Sequence, residues 1–288
     1  MSFIATLVAP DELSAGDISA ACDAVRGFAG AVRDGVACDI STAMEPAAAR
    51  SVLESALPHA DVIVQVAAHR TKRLLIADMD STMITVECID ELADYAGIKP
   101  QIAAITARAM RGELDFAAAL AERVACLAGL DERVIEQCLN ERVRPMAGAR
   151  TLIQTMKARG VRTVLVSGGF TRFAEPVAAQ IGFDMAIANV LEIADGVLTG
   201  RVLEPIVDSN TKLATLRAEC AALGIEVTQA LAIGDGANDI PMLQAAGLGV
   251  AYHGHPRAVA AADAAIRYGD LTTLLWAQGI ARGDWAMG

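Results

Sequence analysis

The chain has 288 residues, 54% of them hydrophobic, with a formal net charge of −11 and a sequence pI near 4.8. That length and apolar content suffice for one large domain or two smaller ones with real cores, and they exclude a disordered chain. The acidic balance excludes nucleic acid as a partner, since phosphate backbones are gripped by clustered Lys and Arg, so a phosphorylated ligand must be held by a local site.

Residues 1–70 alternate strand-like and helix-like pieces: "FIATLVA", "ISAACDAVRGF", "VACDIS", "AAARSVLESAL" and "DVIVQVA". The alternation predicts a small α/β unit. The basic run "HRTKR" at 69–73 separates it from the rest of the chain. From residue 74 short apolar runs ending in polar residues recur, in "LLIADMD", "VRTVLVSGG", "FDMAIAN" and "ALAIGDG". Between them lie helical patterns closed by glycine, at Gly160 and at Gly224, the second with Ser209 or Asn210 as its N-cap. Strands buried on both faces and alternating with helices predict an α/β, Rossmann-like, doubly wound parallel sheet, in which ligands bind beyond the carboxyl ends of the strands. The stretch 85–147 breaks the rhythm. It is helical by pattern, without a convincing strand, and is expected as a helical cap inserted after the first strand of the 71–288 unit, overhanging the site. "LEIADGVLTGRV" at 191–202 carries the Asp-Gly signature of a tight hairpin.

No basic opening followed by a long apolar stretch marks a targeting segment, and no apolar run approaches the roughly 20 residues of a membrane helix. Six cysteines (Cys22, Cys38, Cys88, Cys126, Cys138, Cys220) form no C-x-x-C pair and read as small core residues in a reducing compartment. The expectation is a cytoplasmic protein with no membrane partner.

The chemistry concentrates at the ends of the apolar runs. In an extended segment side chains two apart share a side, so Asp78 and Asp80 could face one small volume. Two adjacent carboxylates favour a cation or a retained proton, although an isolated D-x-D is more often a strand ending in a turn. In "AIGDGANDIPML", Asp235 and Asp239 add hard oxygen ligands of the kind Mg²⁺ takes, with Gly236 and Asn238 between them; the alternative is a capped turn. In "VLVSGGF", Ser167, Gly168 and Gly169 offer a hydroxyl and free N–H groups to phosphate oxygens. Lys212, near a helix start, could add positive charge, although most such lysines are merely solvated. Together these parts, all at the carboxyl end of one sheet, are those that phosphoryl transfer needs.

With its D-x-D-x-T, Ser, Lys and G-D-x-x-x-D motifs, the chain resembles the haloacid dehalogenase superfamily. Over "DMDSTMITVECIDELA", "RAMRGELDFAAAL" and "AIGDGANDIPMLQAAGLGVAYH" it looks like the phosphoserine phosphatase family within it. The resemblance covers roughly residues 74–270 and does not reach securely into the first 70. It implies Mg²⁺-dependent hydrolysis of O-phospho-L-serine, the last step of serine synthesis, with Asp78 as nucleophile and Asp80 as general acid and base. Mg²⁺ would be held by the Asp78 carboxylate, the Asp80 backbone carbonyl and Asp235, with Asp239 close by. Ser167, Gly168 and Lys212 would hold the phosphate, and Asn238 would order the polar shell. Glu87 would read the substrate's ammonium and Arg123 its carboxylate, with Met110 and Phe116 closing the pocket. For Arg123 the alternative is a helix-surface ion pair with Glu122 or Glu113, and for Phe116 a core aromatic of the cap.

Three strands and two helices in residues 1–70 fall one strand short of the βαββαβ order of ACT modules. The segment is therefore expected either as a regulatory unit sensing serine or as a packing unit that supports a homodimer. Transfer of the phosphoryl group to another alcohol, or a non-catalytic sensor, are the other readings; Asp80 argues against the sensor, since binding alone needs no acid/base carboxylate. Receiver domains lack the D-x-D pair and a cap, and G-x-x-x-x-G-K-[ST] is missing, which excludes a P-loop enzyme.

Overall fold

The structure, a computed structural model, describes residues 2–287 apart from the side chain of Met110. Its first four strands are β1 (Phe3–Val8), β2 (Phe28–Ala29), β3 (Ala37–Thr42) and β4 (Asp61–Val66), with helices α1 (Ala15–Val25) and α2 (Pro46–Ala56) between them. Ser14 and Asp17 form a reciprocal capping box that starts α1, and Pro46 opens α2 where no N–H is needed. The chain order is βαββαβ, and the strands pair antiparallel as β2-β3-β1-β4. Sequence pattern misses β2 because two exposed residues, Phe28 and Ala29, carry no periodicity.

The second part contains β5 (Leu74–Ala77), β6 (Arg162–Phe170), β7 (Met185–Ala194), β8 (Val197–Leu203), β9 (Ala230–Gly234), β10 (Leu248–Tyr252) and β11 (Ala264–Ile266). They lie in the order β11-β10-β9-β5-β6-β7-β8, parallel except for the hairpin strand β8. Counted from β5 and leaving the hairpin aside, this is the 3-2-1-4-5-6 order of doubly wound sheets. Alternate residues go to opposite faces: Leu75, Ala77, Leu231 and Ile233 enter one apolar cluster, while Leu74, Ile76, Ala230 and Ala232 enter another. Helices α7 (Ala149–Ala158) and α8 (Thr171–Ile181) supply the first cluster. Helices α9 (Ser209–Leu223), α10 (Ile240–Ala245) and α11 (Pro256–Ala261) supply the second. Strands β10 and β11 lie outside the four apolar runs that the sequence makes conspicuous, because β10 is interrupted by Gly249 and β11 has three residues. The hairpin turns at Asp195 and Gly196, both left-handed, as the Asp-Gly pair predicts.

Four helices form the insertion: α3 (Cys88–Tyr95), α4 (Lys99–Met110), α5 (Phe116–Ala125) and α6 (Arg133–Glu141). Its two connections pair with each other as they leave the core, Thr85 N–H donating to Arg144 C=O at 3.1 Å and Met146 N–H to Met83 C=O at 2.8 Å. A second tether joins the loop after α5 to the hairpin: Gly129 N–H donates to Leu198 C=O, and Leu198 N–H to Leu130 C=O, at 2.8 and 2.9 Å. Gly200 is needed there, since a Cβ would come within 2.9 Å of the Ala128 Cβ.

The two sheets are one. Strand β4 meets β11 antiparallel at Val62 and Ala265, giving eleven strands in succession. Asp61, buried, accepts from the backbone N–H groups of Arg267 and Gly269 at 2.7 and 2.8 Å. Helix α12 (Thr273–Ala277) packs on β1, and the carbonyl of Ala277 accepts from Gln65 and Arg70, each at 2.8 Å. The basic run 69–73 is partly built into this junction, although His69, Thr71 and Arg73 are exposed. Arg70 pairs with Asp39 at 2.8 Å, and Lys72 is fully buried, its Nζ donating to the carbonyls of His69 and Thr228 at 2.8 and 3.1 Å. Of the cysteines, Cys38, Cys88, Cys138 and Cys220 are buried as expected, whereas Cys126 is exposed at the end of α5, contrary to the core reading. No described helix is long and apolar enough to cross a membrane.

Burial pushes the Lys72 amine down to about 8, against a raising pull from Asp263. A neutral amine has two N–H groups, matching its two carbonyl partners. A lysine that is less basic folded than unfolded makes the protein more stable as pH rises from about 8 to 10.5, the unfolded value, and that contribution is absent below 8. Urea midpoints of the wild type are expected to gain on those of Lys72→Met across that window. Parallel curves would mean that the ammonium is not destabilised.

Candidate active site

The chain winds outward from β5 to one side and from β9 to the other, and it is at such a reversal that doubly wound sheets open a crevice beyond the carboxyl ends of both strands. Asp78 follows β5 directly, its N–H still donating to Ile233 C=O of β9 at 3.0 Å. Asp235 follows β9 in the same way. Asp239, four residues on, is fully buried and turns its Oδ2 back to accept from the N–H groups of Asp235 and Gly236, at 3.1 and 3.0 Å. Gly234 is glycine because a Cβ there would run into the Asp239 carboxylate. Asp78, Asp235 and Asp239 each offer an oxygen within 4.8 Å of the others.

Into this cluster comes Lys212 from the second turn of α9, 1% exposed, its Nζ at 2.7 Å from both Asp78 Oδ1 and Asp239 Oδ1. The N-cap that sets the helix is Asp208, whose side chain accepts from Thr211 N–H at 2.8 Å; the expected Ser209 and Asn210 lie inside the first turn instead. Burial opposes the Lys212 ammonium, yet Asp78 and Asp239 outweigh it and raise its pKa. One lysine does not neutralise three carboxylates. Burial first, then Asp239, pushes Asp78 up to about 7 against the pull of Lys212, and burial and Asp239 push Asp235 up to about 6. The site carries an excess of buried negative charge and hard oxygen donors, which suits a divalent cation.

Between Asp78 and α3 the chain makes a tight turn, with Met83 and Ile84 N–H both donating to Met79 C=O and Ser81 left-handed at φ 53°. Inside it Thr82 donates from Oγ1 to Asp235 Oδ1 at 3.0 Å, and Ser81 donates from Oγ to Glu87 Oε1 at 2.7 Å. Asp80 points into the crevice. Its Oδ1 is buried and has no hydrogen-bond partner among the described residues. Burial, then Glu87 and Asp78, raise its pKa well above the carboxylate range. A carboxyl that holds its proton more tightly than usual is suited to act as a general acid.

Ser167, Gly168 and Gly169 form a bulge, since Val166 pairs with Ile187 and Phe170 with Asn189, leaving three residues of β6 opposite one of β7. The buried Ser167 Oγ accepts from Gly169 N–H at 2.9 Å. A Cβ at Gly169 would stand 3.1 Å from Asp80 Oδ2, so the loop and the acid are in near contact. Phe116, half-buried at the start of α5, lies over Gly168, where a Cβ would meet its ring at 3.0 Å.

Arg123 on α5 is partly buried and has no carboxylate partner among the described residues; its Nε reaches only Ala119 C=O, at 3.3 Å. Burial lowers its pKa, while Asp90, Glu87 and Asp80 pull the other way. The surface ion pairs considered for it are taken elsewhere, Glu122 by Arg108 at 2.6 Å and Glu113 by Arg111 at 2.6 Å. The crevice thus has a carboxylate, Glu87, and an unpaired guanidinium on its cap side. Asn238 folds its side-chain oxygen over Gly236. Met110 ends α4, and its side chain lies outside the described residues. Two residues without a place in the sequence reading join the site: Thr82, which the D-x-D-x-T pattern contains, and Asn189, signalled only by a polar residue closing "AIAN".

The family described as haloacid dehalogenase-like hydrolase matches residues 75–244. A phosphoserine phosphatase of Mycobacterium tuberculosis is 48% identical over 228 residues, which are 78% of this chain and 56% of that protein, so the match spans little more than half of the relative. A crystal structure of a haloacid dehalogenase family hydrolase from Salmonella enterica serovar Typhi superimposes with a TM-score of 0.86 at 30% identity, covering 96% of this chain and 98% of that one. A solved phospho-aspartyl intermediate analogue of phosphoserine phosphatase is 37% identical with a TM-score of 0.67, covering 72% of this chain and 98% of that one.

Lys212→Met keeps the stem and removes the charge, leaving Asp78 and Asp239 without a counter-ion. Urea unfolding at pH 8 in excess chelator is expected to show a loss of about 3–5 kcal/mol. A loss under about 1 kcal/mol would mean that the ammonium does not hold the cluster together.

Proposed function

The chain belongs to the haloacid dehalogenase-like hydrolases, and on that footing we propose that it hydrolyses O-phospho-L-serine to L-serine and phosphate, the last step of serine synthesis, in the cytoplasm. The observation that carries the reading is the buried, unpartnered Asp80 Oδ1 two residues from Asp78. Asp78 Oδ1 is taken by Lys212 and by Met79 N–H at 2.8 Å, which leaves Oδ2 as the oxygen free to attack. Attack on phosphorus forms an aspartyl phosphate and breaks the bond to the serine oxygen, which takes the proton from Asp80. Asp80, now ionised, accepts a proton from the water that attacks the aspartyl phosphate, and Asp78 is released with inorganic phosphate. Ser167, Gly168 and Lys212 hold the phosphate oxygens throughout.

The donor set fits Mg²⁺, which Asp78 and Asp235, together with the Asp80 carbonyl, would hold. When bound, it neutralises charge on the phosphoryl oxygens. Asp239 has Oδ1 on Lys212 and Oδ2 on two N–H groups, which favours a role in orienting the other ligands and reaching the metal through water. Glu87 takes the substrate ammonium and Arg123 its carboxylate, with Phe116 closing the pocket and Asn238 ordering the polar shell. The missing partner of Arg123 is what favours an amino-acid phosphate over a simple one. Six cysteines without a disulfide agree with a reducing cytoplasm.

The same reading divides the chain into residues 1–70 and 71–288, with the cap at about 85–147. The βαββαβ order supports an ACT-like first unit that senses an amino acid. The shared sheet supports equally a packing unit.

Phosphate release from L-phosphoserine is to be measured beside phosphoglycolate, phosphoethanolamine and p-nitrophenyl phosphate, with Mg²⁺ and with excess chelator. A Mg²⁺-dependent preference for phosphoserine is expected, lost in Asp78→Asn; equal turnover of all four would overturn the substrate, and full activity of Asp78→Asn the covalent step. Arg123→Ala is expected to raise KM about 10- to 100-fold with kcat little changed, the signature of lost uniform binding. An unchanged KM would remove Arg123 from carboxylate recognition.

A further inference from the structure

Asn189, on β7, is completely buried, and its side chain makes three hydrogen bonds to two segments, the bulge of β6 and the loop before α9. Its Nδ2 donates to Gly168 C=O at 2.9 Å and to Val207 C=O at 3.2 Å, and its Oδ1 accepts from Val207 N–H at 2.7 Å. The first bond falls inside the bulge, where Gly168 has left the ladder between β6 and β7. Across one planar trans peptide the carbonyl and the following N–H point in opposite directions. Holding Gly168 C=O therefore aims Gly169 N–H, which donates to Ser167 Oγ. The other two bonds treat Val207 as a strand partner would. Val207 precedes Asp208, the N-cap of α9, and α9 carries Lys212. A single amide thus sets both the peptide that orients the Ser167 hydroxyl and the start of the helix that delivers Lys212.

From this juxtaposition we infer that Asn189 is a positioning residue for the phosphate subsite, fixing Ser167 and Lys212 relative to one another without touching substrate. The inference rests on the phosphatase reading above, and its effect is confined to one half of that site. Glu87 and Arg123 stand on the turn and the cap, beyond the reach of these hydrogen bonds.

The test compares wild type with Asn189→Asp, which keeps the volume and the acceptor for Val207 N–H but loses both donors, and with Asn189→Ser, whose smaller side chain admits a bridging water. Folding of each is checked by its thermal transition. The readouts are kcat for phosphoserine and inhibition by two products, inorganic phosphate and L-serine. Expected are a fall in kcat of about tenfold or more and at least tenfold weaker inhibition by phosphate, with inhibition by L-serine within about twofold of wild type. A folded variant in which both products lose potency together, or in which kcat and phosphate inhibition stay at wild-type values, overturns the positioning role. Wild type that releases no phosphate would instead overturn the phosphatase reading, since that result involves no change at Asn189.

Discussion

A buried ammonium held between two carboxylates organises this molecule. Lys212 bridges Asp78 and Asp239, three groups from three separate elements, at a depth where none of them would stay charged alone. Each element must arrive in register for the charges to meet: β5 to deliver Asp78, the turn after β9 to deliver Asp239, and α9 to deliver Lys212. Burial favours neutral acids, and together with the repulsion from Asp239 that one lysine leaves unrelieved it raises the pKa values of Asp78 and Asp235. That residual repulsion is useful, because a site short of positive charge is one that takes up a cation and a phosphate's counter-charge together.

The doubly wound topology explains why such a cluster forms here. Only at the reversal between β5 and β9 do two adjacent strand ends open onto space rather than onto a crossover helix. Asp78 and Asp235 occupy those two ends, while the bulge at 167–169 brings a third strand end, that of β6, to the same crevice by releasing its backbone from the ladder. The cap then closes over strand ends that are already complete, adding Phe116 against Gly168 and an unpaired guanidinium at Arg123. The core provides groups suited to phosphorus and oxygen, and the cap provides groups suited to the rest of a ligand.

Legibility in the sequence follows the range of the interaction. The runs "LLIADMD" and "ALAIGDG" are readable because a strand buried on both faces must be apolar throughout, so a terminal Asp stands out against it. Lys212 alone is not readable as buried: its helix looks like any solvated one, and only the family motif singles it out. Asp208 is obscured as the N-cap by two eligible neighbours, Ser209 and Asn210. Strands β2 and β11 are too short for any pattern and exist through pairing with distant segments, Phe28 with Ser41 and Ala265 with Val62. Asn189 is the clearest case of a residue that sequence periodicity cannot reveal, since its importance depends on a bulge in one strand and a loop 18 residues on.

The first 66 residues show how far a unit with its own pattern can be absorbed by its neighbour. Helices α1 and α2 and the strands between them enclose an apolar cluster of their own around Leu7, Ile40 and Leu53. The opposite side of that sheet is mixed: Val8 and Ala37 pack on Trp276, while Thr6, Arg33 and Arg70 bind Asp39, and Arg70 and Gln65 also bind carbonyls at the end of α12. These bonds saturate the helix terminus, and with the β4–β11 pairing and the Asp61 contacts they tie the first strands to the loop at 267–269. That loop continues into Leu271, whose N–H donates to Ala147 at the exit of the cap, while His253, beside the same loop, precedes His255, whose N–H donates to Asp235 C=O. A hinged appendage would need a solvated connection with few hydrogen bonds across it. Here the connection contains a buried lysine and a continuous sheet, so the first unit is built into the same rigid frame that holds the crevice.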